Sequence, residues 1–296
     1  MPLKTAQDFD QELLILFDAY VHGTLDRRGF LERAQKFAVG GMTAGMLLTA
    51  LSPDFARAQV VAKDDKRIKT EMVDYPSTAG TGTVKGYLTK PANATGKLPV
   101  VLVVHENRGL NPHIEDIARR LALDNFVAFA PDALTPLGGY PGDEDKAREL
   151  FAKLDQKKAT EDFVAAANYL KNRPESSGKI GVVGICYGGG MAHVLSVRMP
   201  ELNAAVSFYG NQPAVEDAAK VKAPLLLQFA AVDERINASW PAYEVALKAA
   251  GARYTAYQYP GTQHGFNNDT TPRFDAAAAK LAWERTTAFF NQQLRT

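Results

Sequence analysis

From residue 67 onward the chain alternates short apolar runs with segments whose apolar residues return at helical spacing. The runs at 98–104, 126–132, 204–210 and 224–230 lack the polar alternation of a half-solvated strand, so each is expected to be buried on both faces of a sheet. Two strands over 68–75 and 83–89, joined by a turn over 76–82, precede them, and another is expected over 254–259. Helices are expected near 113–124, 143–154, 159–172 and 240–250, with a closing helix over 272–292. This repetition implies an α/β fold, a mainly parallel twisted sheet with helices on both faces. In such sheets functional groups gather in the loops beyond the carboxyl ends of the strands.

The first residues follow a different pattern. Phe9, Leu13, Leu16, Phe17 and Tyr20 recur at helical spacing and predict a short amphipathic helix within 1–22. Asp26-Arg27-Arg28-Gly29-Phe30-Leu31-Glu32 follows, then an apolar, glycine-containing stretch over 37–51, then Ala56-Arg57-Ala58 before Gln59. Paired arginines, a moderately apolar core and small residues at the cleavage positions resemble a twin-arginine export signal. The expected division is therefore a leader or helical extension over 1–58 and one α/β domain over 59–296. On this reading the twin-arginine machinery is a partner and the mature protein is periplasmic or exported. The competing reading is a helical extension packed on the domain, or on the partner subunit of a homo-oligomer, in a cytoplasmic protein. The apolar stretch falls short of the roughly 20 mainly apolar residues of a membrane anchor.

Composition excludes more than it identifies. The chain has 296 residues, 46% of them hydrophobic, and a formal net charge of +1. That balance gives no global electrostatic case for binding nucleic acid. Cys186 is the single cysteine, which forbids an intramolecular disulfide and a cysteine zinc cluster. His22, His105, His113, His193 and His264 show no metal-ligand spacing, so neither a metal nor a cofactor is expected.

The chemistry concentrates around the cysteine. Lys179-Ile180-Gly181-Val182-Val183-Gly184-Ile185-Cys186-Tyr187-Gly188-Gly189 reads as a strand, a sharp turn and the start of a helix. The flanking glycines are required where a Cβ would strike the neighbouring strand and helix, and the turn lifts Cys186 over a helix N-terminus. There the unpaired amides and the helix dipole favour a thiolate. Asp233 and His264 each follow a later strand, so a parallel sheet brings them to the rim that carries Cys186. His264 would take or hold the thiol proton, and Asp233 would orient the imidazole, with Glu234 as the competing carboxylate. The backbone N–H groups of Tyr187 and Asn107 are the candidate oxyanion donors. His105 reads as a structural histidine at the end of a buried strand. Tyr140 and Trp240 are candidate pocket residues or core aromatics, with the glycine-rich 134–145 loop as a lid.

Together, Glu106 in His105-Glu106-Asn107-Arg108-Gly109, the Gly184-Ile185-Cys186-Tyr187-Gly188-Gly189 turn, Asp233, and His264-Gly265-Phe266 resemble dienelactone hydrolase over about 68–292. The resemblance implies an α/β-hydrolase fold and cleavage of a small carboxylic ester or lactone through a thioester acyl-enzyme, as in a carboxymethylenebutenolidase. It also implies that Glu106 bonds to the resting thiol and helps to form the thiolate. The family's substrate-carboxylate arginines are not matched, because 133–140 has no arginine and Phe266 continues into Asn267-Asn268-Asp269. Arg108, Arg235 or Arg273 could supply that cation from elsewhere, and each also reads as an ion-pair partner. The alternative from another class is a non-catalytic binding or scaffold protein on a hydrolase fold.

Overall fold

A computed structural model describes residues 4–55 and 59–296. Eight strands form one sheet: β1 (Ile68–Ser77), β2 (Gly82–Pro91), β3 (Leu98–Val104), β4 (Val127–Pro131), β5 (Ser176–Ile185), β6 (Ala204–Phe208), β7 (Leu225–Val232) and β8 (Tyr254–Gln263). Their spatial order is β1-β2-β4-β3-β5-β6-β7-β8. β1 and β2 form an antiparallel pair, and β2 also runs antiparallel to β4; the pairs from β4 through β3 to β8 are parallel. The fold is that of an α/β-hydrolase.

The period-two alternation of a strand explains why the central runs are apolar throughout. Val100, Leu102, Val104 and Val182 pack on one face with Phe163, Ala166 and Leu170 of α6 (Gln156–Lys171), Leu195 of α7 (Tyr187–Arg198) and Leu247 of α9 (Trp240–Ala249). Val101, Val103 and Val183 pack on the other with Ile114, Ile117 and Leu121 of α4 (Pro112–Leu123) and Phe290 and Leu294 of α10 (Ala276–Leu294). The remaining helices of the domain are α5 (Glu144–Phe151) and the short α8 (Glu234–Asn237).

The extension is folded as well. α1 (Gln11–Val21), α2 (Arg27–Ala34) and α3 (Ala44–Leu51) enclose Leu13, Phe17, Tyr20, Phe30, Leu47, Leu48 and Leu51. Asp10, Asp26 and Thr43 cap their N-termini, accepting from Glu12, Gly29 and Met46 backbone N–H groups. The paired arginines open α2, and Arg27 is ion-paired with Asp145 of the domain. Gly40 and Gly41 at φ 62° and 85° interrupt the apolar stretch, so only its last part is helical. Among the described residues no helix is long and apolar enough to cross a membrane. The Ala56-Arg57-Ala58 cleavage positions lie outside the described residues.

Candidate active site

β5 delivers Cys186 to the carboxyl edge of the sheet, and α7 begins at the next residue. Cys186 has φ 57° and ψ −111°, a conformation that costs a non-glycine residue roughly 1–3 kcal/mol. The turn is this tight because its glycines permit it. A Cβ on Gly184 would stand 1.7 Å from the Gly188 carbonyl oxygen, and one on Gly188 would stand 2.1 Å from the Val104 carbonyl oxygen. Strand, thiol and helix can therefore approach only with glycine at both positions.

The two later loops bring their residues to the same point. Nε2 of His264 lies 3.2 Å from Sγ of Cys186, and Nδ1 lies 2.6 Å from Oδ2 of Asp233. Asp233 also caps α8, accepting from the Ile236 N–H, while Glu234 faces solvent. Burial pushes the thiol up, but the imidazoles of His264 and His22 outweigh it and bring Cys186 down to about 6. Burial opposes charge on His264, yet the Cys186 sulfur and the Asp233 carboxylate hold it up at about 10. The arrangement accommodates a thiolate facing an imidazolium.

The other sequence candidates fall in different places. Glu106, Asn107 and Arg108 line the small cavity in front of Cys186 and His264. Among the described residues, no backbone acceptor outside α7 takes up the N–H of Tyr187, and none takes up that of Asn107. The Tyr187 ring packs edge-on to Phe151 at 4.7 Å and stacks on His105. Glu106 does not bond to the thiol: its Oε2 accepts from Nδ2 of Asn268 at 2.8 Å, and the imidazoles occupy the sulfur instead. Tyr140 is turned to Glu144, and Trp240 packs on Phe229 and Tyr254 in the core. Neither aromatic lines the cavity itself: Tyr140 reaches only as far as Glu144, which does line it, and Trp240 packs against the core behind it. His105 is fully buried between Glu106 O and the Ala133 N–H.

What the sequence reading missed is the contribution of the extension. Phe17, Tyr20, Val21 and His22 close the cavity, leaving about 50 Å3 free. Small-molecule sites usually offer ~300–1,000 Å3. Nε2 of His22 lies 3.4 Å from Sγ of Cys186, and its ring meets that of His264 edge-on at 4.8 Å. The Val21 carbonyl accepts from Nδ2 of Asn107 at 2.9 Å and from Arg108 at 3.3 Å. Arg273 pairs with Asp18 at 3.1 Å. Burial raises the Asp18 carboxyl, but the bond from His22 and the charges of His264 and Arg273 hold it well below the usual range. All three arginines named as candidate carboxylate cations, Arg108, Arg235 and Arg273, are thus engaged by the extension, Arg235 through His22 at 3.1 Å and Asp18 at 3.7 Å.

Comparison with known proteins matches two family models, one to the domain and one to the extension. A model of the "Dienelactone hydrolase family" matches residues 84–294, and one described as "YqhI-like" matches residues 1–39. The chain is 31% identical over 248 residues to a "Putative carboxymethylenebutenolidase" of Escherichia coli (strain K12), covering 79% of this chain and 90% of that protein. It is 54% identical over 114 residues to the "Putative hydrolase fragment YghX" of the same organism, covering 38% of this chain and 97% of the fragment. Among solved structures it is similar to a "Putative Dienelactone Hydrolase" from Klebsiella pneumoniae subsp. pneumoniae MGH 78578. That similarity has a TM-score of 0.68 and 28% identity, and covers 76% of this chain and 99% of the other.

Proposed function

This chain belongs to the dienelactone hydrolase family, hydrolases acting on ester bonds, and from that premise we propose that it cleaves a small carboxylic ester or lactone with Cys186 as nucleophile. The observation that carries the reading is the bonded series from Sγ of Cys186 through His264 to Asp233, at 3.2 and 2.6 Å, on a strained turn. The Cys186 thiolate attacks the substrate carbonyl carbon, and the N–H groups of Tyr187 and Asn107 take the developing oxyanion. His264 gives its proton to the departing alkoxide, leaving a thioester. It then removes a proton from water, and the attack of that water releases the acid and restores the thiolate. Asp233 keeps the proton on Nδ1 and stabilises the imidazolium. With the extension seated, the imidazoles of His264 and His22 face the sulfur and Glu106 bonds to Asn268 instead.

The free volume in front of the sulfur is too small for such a substrate, so α1 and His22 must shift to admit one. Turnover of a panel of small esters and lactones by wild type and Cys186→Ala tests the reading. The variant should lose at least ~10⁴-fold in kcat/KM. Equal turnover by the variant on any panel member would remove Cys186 from the chemistry.

Export through the twin-arginine machinery is a separate part of the proposal, supported by Arg27-Arg28 and the apolar stretch after it. N-terminal sequencing of fractionated cells tests it. Protein outside the cytoplasm supports export, and full-length protein confined to the cytoplasm overturns it. A chain beginning near Gln59 would have lost His22 and with it the closure of the cavity.

A further inference from the structure

The extension brings a second imidazole to the sulfur, and both sulfur-to-nitrogen separations are those of ligands on one ion. Sγ of Cys186 stands 3.2 Å from Nε2 of His264 and 3.4 Å from Nε2 of His22, and ligand atoms of the three residues lie within 4.8 Å of one another. Around a tetrahedral zinc with bonds of about 2.0–2.3 Å, adjacent ligand atoms are about 3.3–3.6 Å apart. Each ring is also held from its far side. Nδ1 of His264 meets Asp233 at 2.6 Å, and Nδ1 of His22 meets the Asp18 carbonyl at 2.8 Å and its carboxylate at 3.2 Å. A carboxylate behind a ligating histidine fixes the tautomer and makes the metal-facing nitrogen more basic. One sulfur and two imidazoles suit a borderline-soft cation such as Zn²⁺ and disfavour the hard Mg²⁺ and Ca²⁺.

We propose that Cys186, His264 and His22 form a three-ligand Zn²⁺ site with an open fourth position, complete only while α1 is seated on the domain. Cys186 binds as the thiolate and His264 and His22 bind through unprotonated Nε2, the proton that His264 shares with the sulfur passing to solvent, and no bond between heavy atoms of the chain breaks. The ion occupies the sulfur lone pair that would attack an ester, so it masks turnover. That consequence rests on the nucleophile reading, whereas ion binding itself does not. Arg235 is the opposing charge, with Nη2 3.1 Å from Nε2 of His22. Its side chain is 36% exposed and pairs with Asp18 at 3.7 Å, so swinging toward solvent when the ion binds gives up that long contact.

Titration of Zn²⁺ into full-length, reduced protein against a chromophoric chelator tests the site, with the Co²⁺ spectrum as a signature of sulfur ligation. One ion should bind per chain, and the thiolate-to-cobalt charge-transfer band should vanish in Cys186→Ser. His22→Ala should weaken Zn²⁺ binding by at least ~10-fold, and Asp18→Asn, which leaves all three ligands in place, by about 10-fold. Arg235→Gln should tighten it several-fold, with native circular dichroism as the check on folding in each variant. Wild-type affinity no greater than that of Cys186→Ser would overturn the site. Undiminished binding in a folded His22→Ala would overturn the role of the extension. Ester turnover by Cys186→Ala, measured beside the Zn²⁺ titration of wild type, separates the two readings. Turnover surviving in Cys186→Ala removes the nucleophile but leaves a measured zinc site standing. Turnover lost in that variant, with no specific Zn²⁺ binding by wild type, does the reverse.

Discussion

In the α/β domain the central strands are buried on both faces and carry the sheet from β4 through β3 to β8, whereas the extension keeps a separate apolar cluster and meets the domain mainly through polar groups. Asp18 with Arg273, Arg27 with Asp145, Gln11 with Gln263 and the Val21 carbonyl with Asn107 and Arg108 join the two regions. The exposed pair of Arg27 with Asp145 contributes about 0–1 kcal/mol, and the few bonds made by the buried Arg273 and Arg108 contribute about 1–3 kcal/mol each, together far less than a sheet core. The domain therefore positions Cys186, Asp233 and His264 through rigid packing, while the extension seals the same point through contacts that open more readily. Reactive geometry and access are separable properties of this molecule.

The largest expected effect falls on the rigid side. Asp233→Asn should lower kcat/KM by ~10²–10⁴-fold, because the amide no longer enforces the required tautomer. A loss below threefold would mean that His264 is oriented from elsewhere. The next effect belongs to the extension: Phe30→Ala should destabilise its cluster by about 3–5 kcal/mol. Limited proteolysis should then cut within 10–55, while the domain melts at an unchanged temperature. A matching fall in the domain's melting temperature would show one cooperative unit and end the contrast. The smallest effect is a shift with pH. The thiol is depressed to about 6, below its ordinary value, so thiolate is present above that pH and lost below it. Iodoacetamide alkylation of Cys186 should plateau above about pH 7 and fall roughly tenfold per unit well below pH 6. A midpoint near 8.5, the ordinary thiol value, would contradict the imidazole contacts.

The same contrast explains what could be read from the sequence. The run into Gly184-Ile185-Cys186-Tyr187-Gly188 is local information: apolar strand, glycines at clashing positions, helix. Asp233 and His264 were legible because parallel strands place their trailing loops on one edge, whatever their separation along the chain. The docking of α1 had no such signal. Its apolar spacing specified a helix but not the surface it covers, and His22 meets Cys186 across 164 positions. The expected contact from Glu106 to the thiol gave way because Asn268 holds that carboxylate and the imidazoles hold the sulfur. Tyr140 and Trp240 read from the sequence as pocket residues or core aromatics alike, and the structure takes Trp240 to the core, against Phe229 at 4.9 Å, and turns Tyr140 to Glu144. Arg27 and Arg28 read the same in an export signal and at a helix start, and the local sequence does not separate those uses.

Acid-quenched mass spectrometry of the full-length protein mixed with p-nitrophenyl acetate tests the central claim most directly. The account predicts a burst of nitrophenolate of about one equivalent per chain, with an acetyl group located on Cys186 by peptide mapping. Steady turnover of the ester with no acyl group on Cys186, or with the acyl group on another residue, would contradict it.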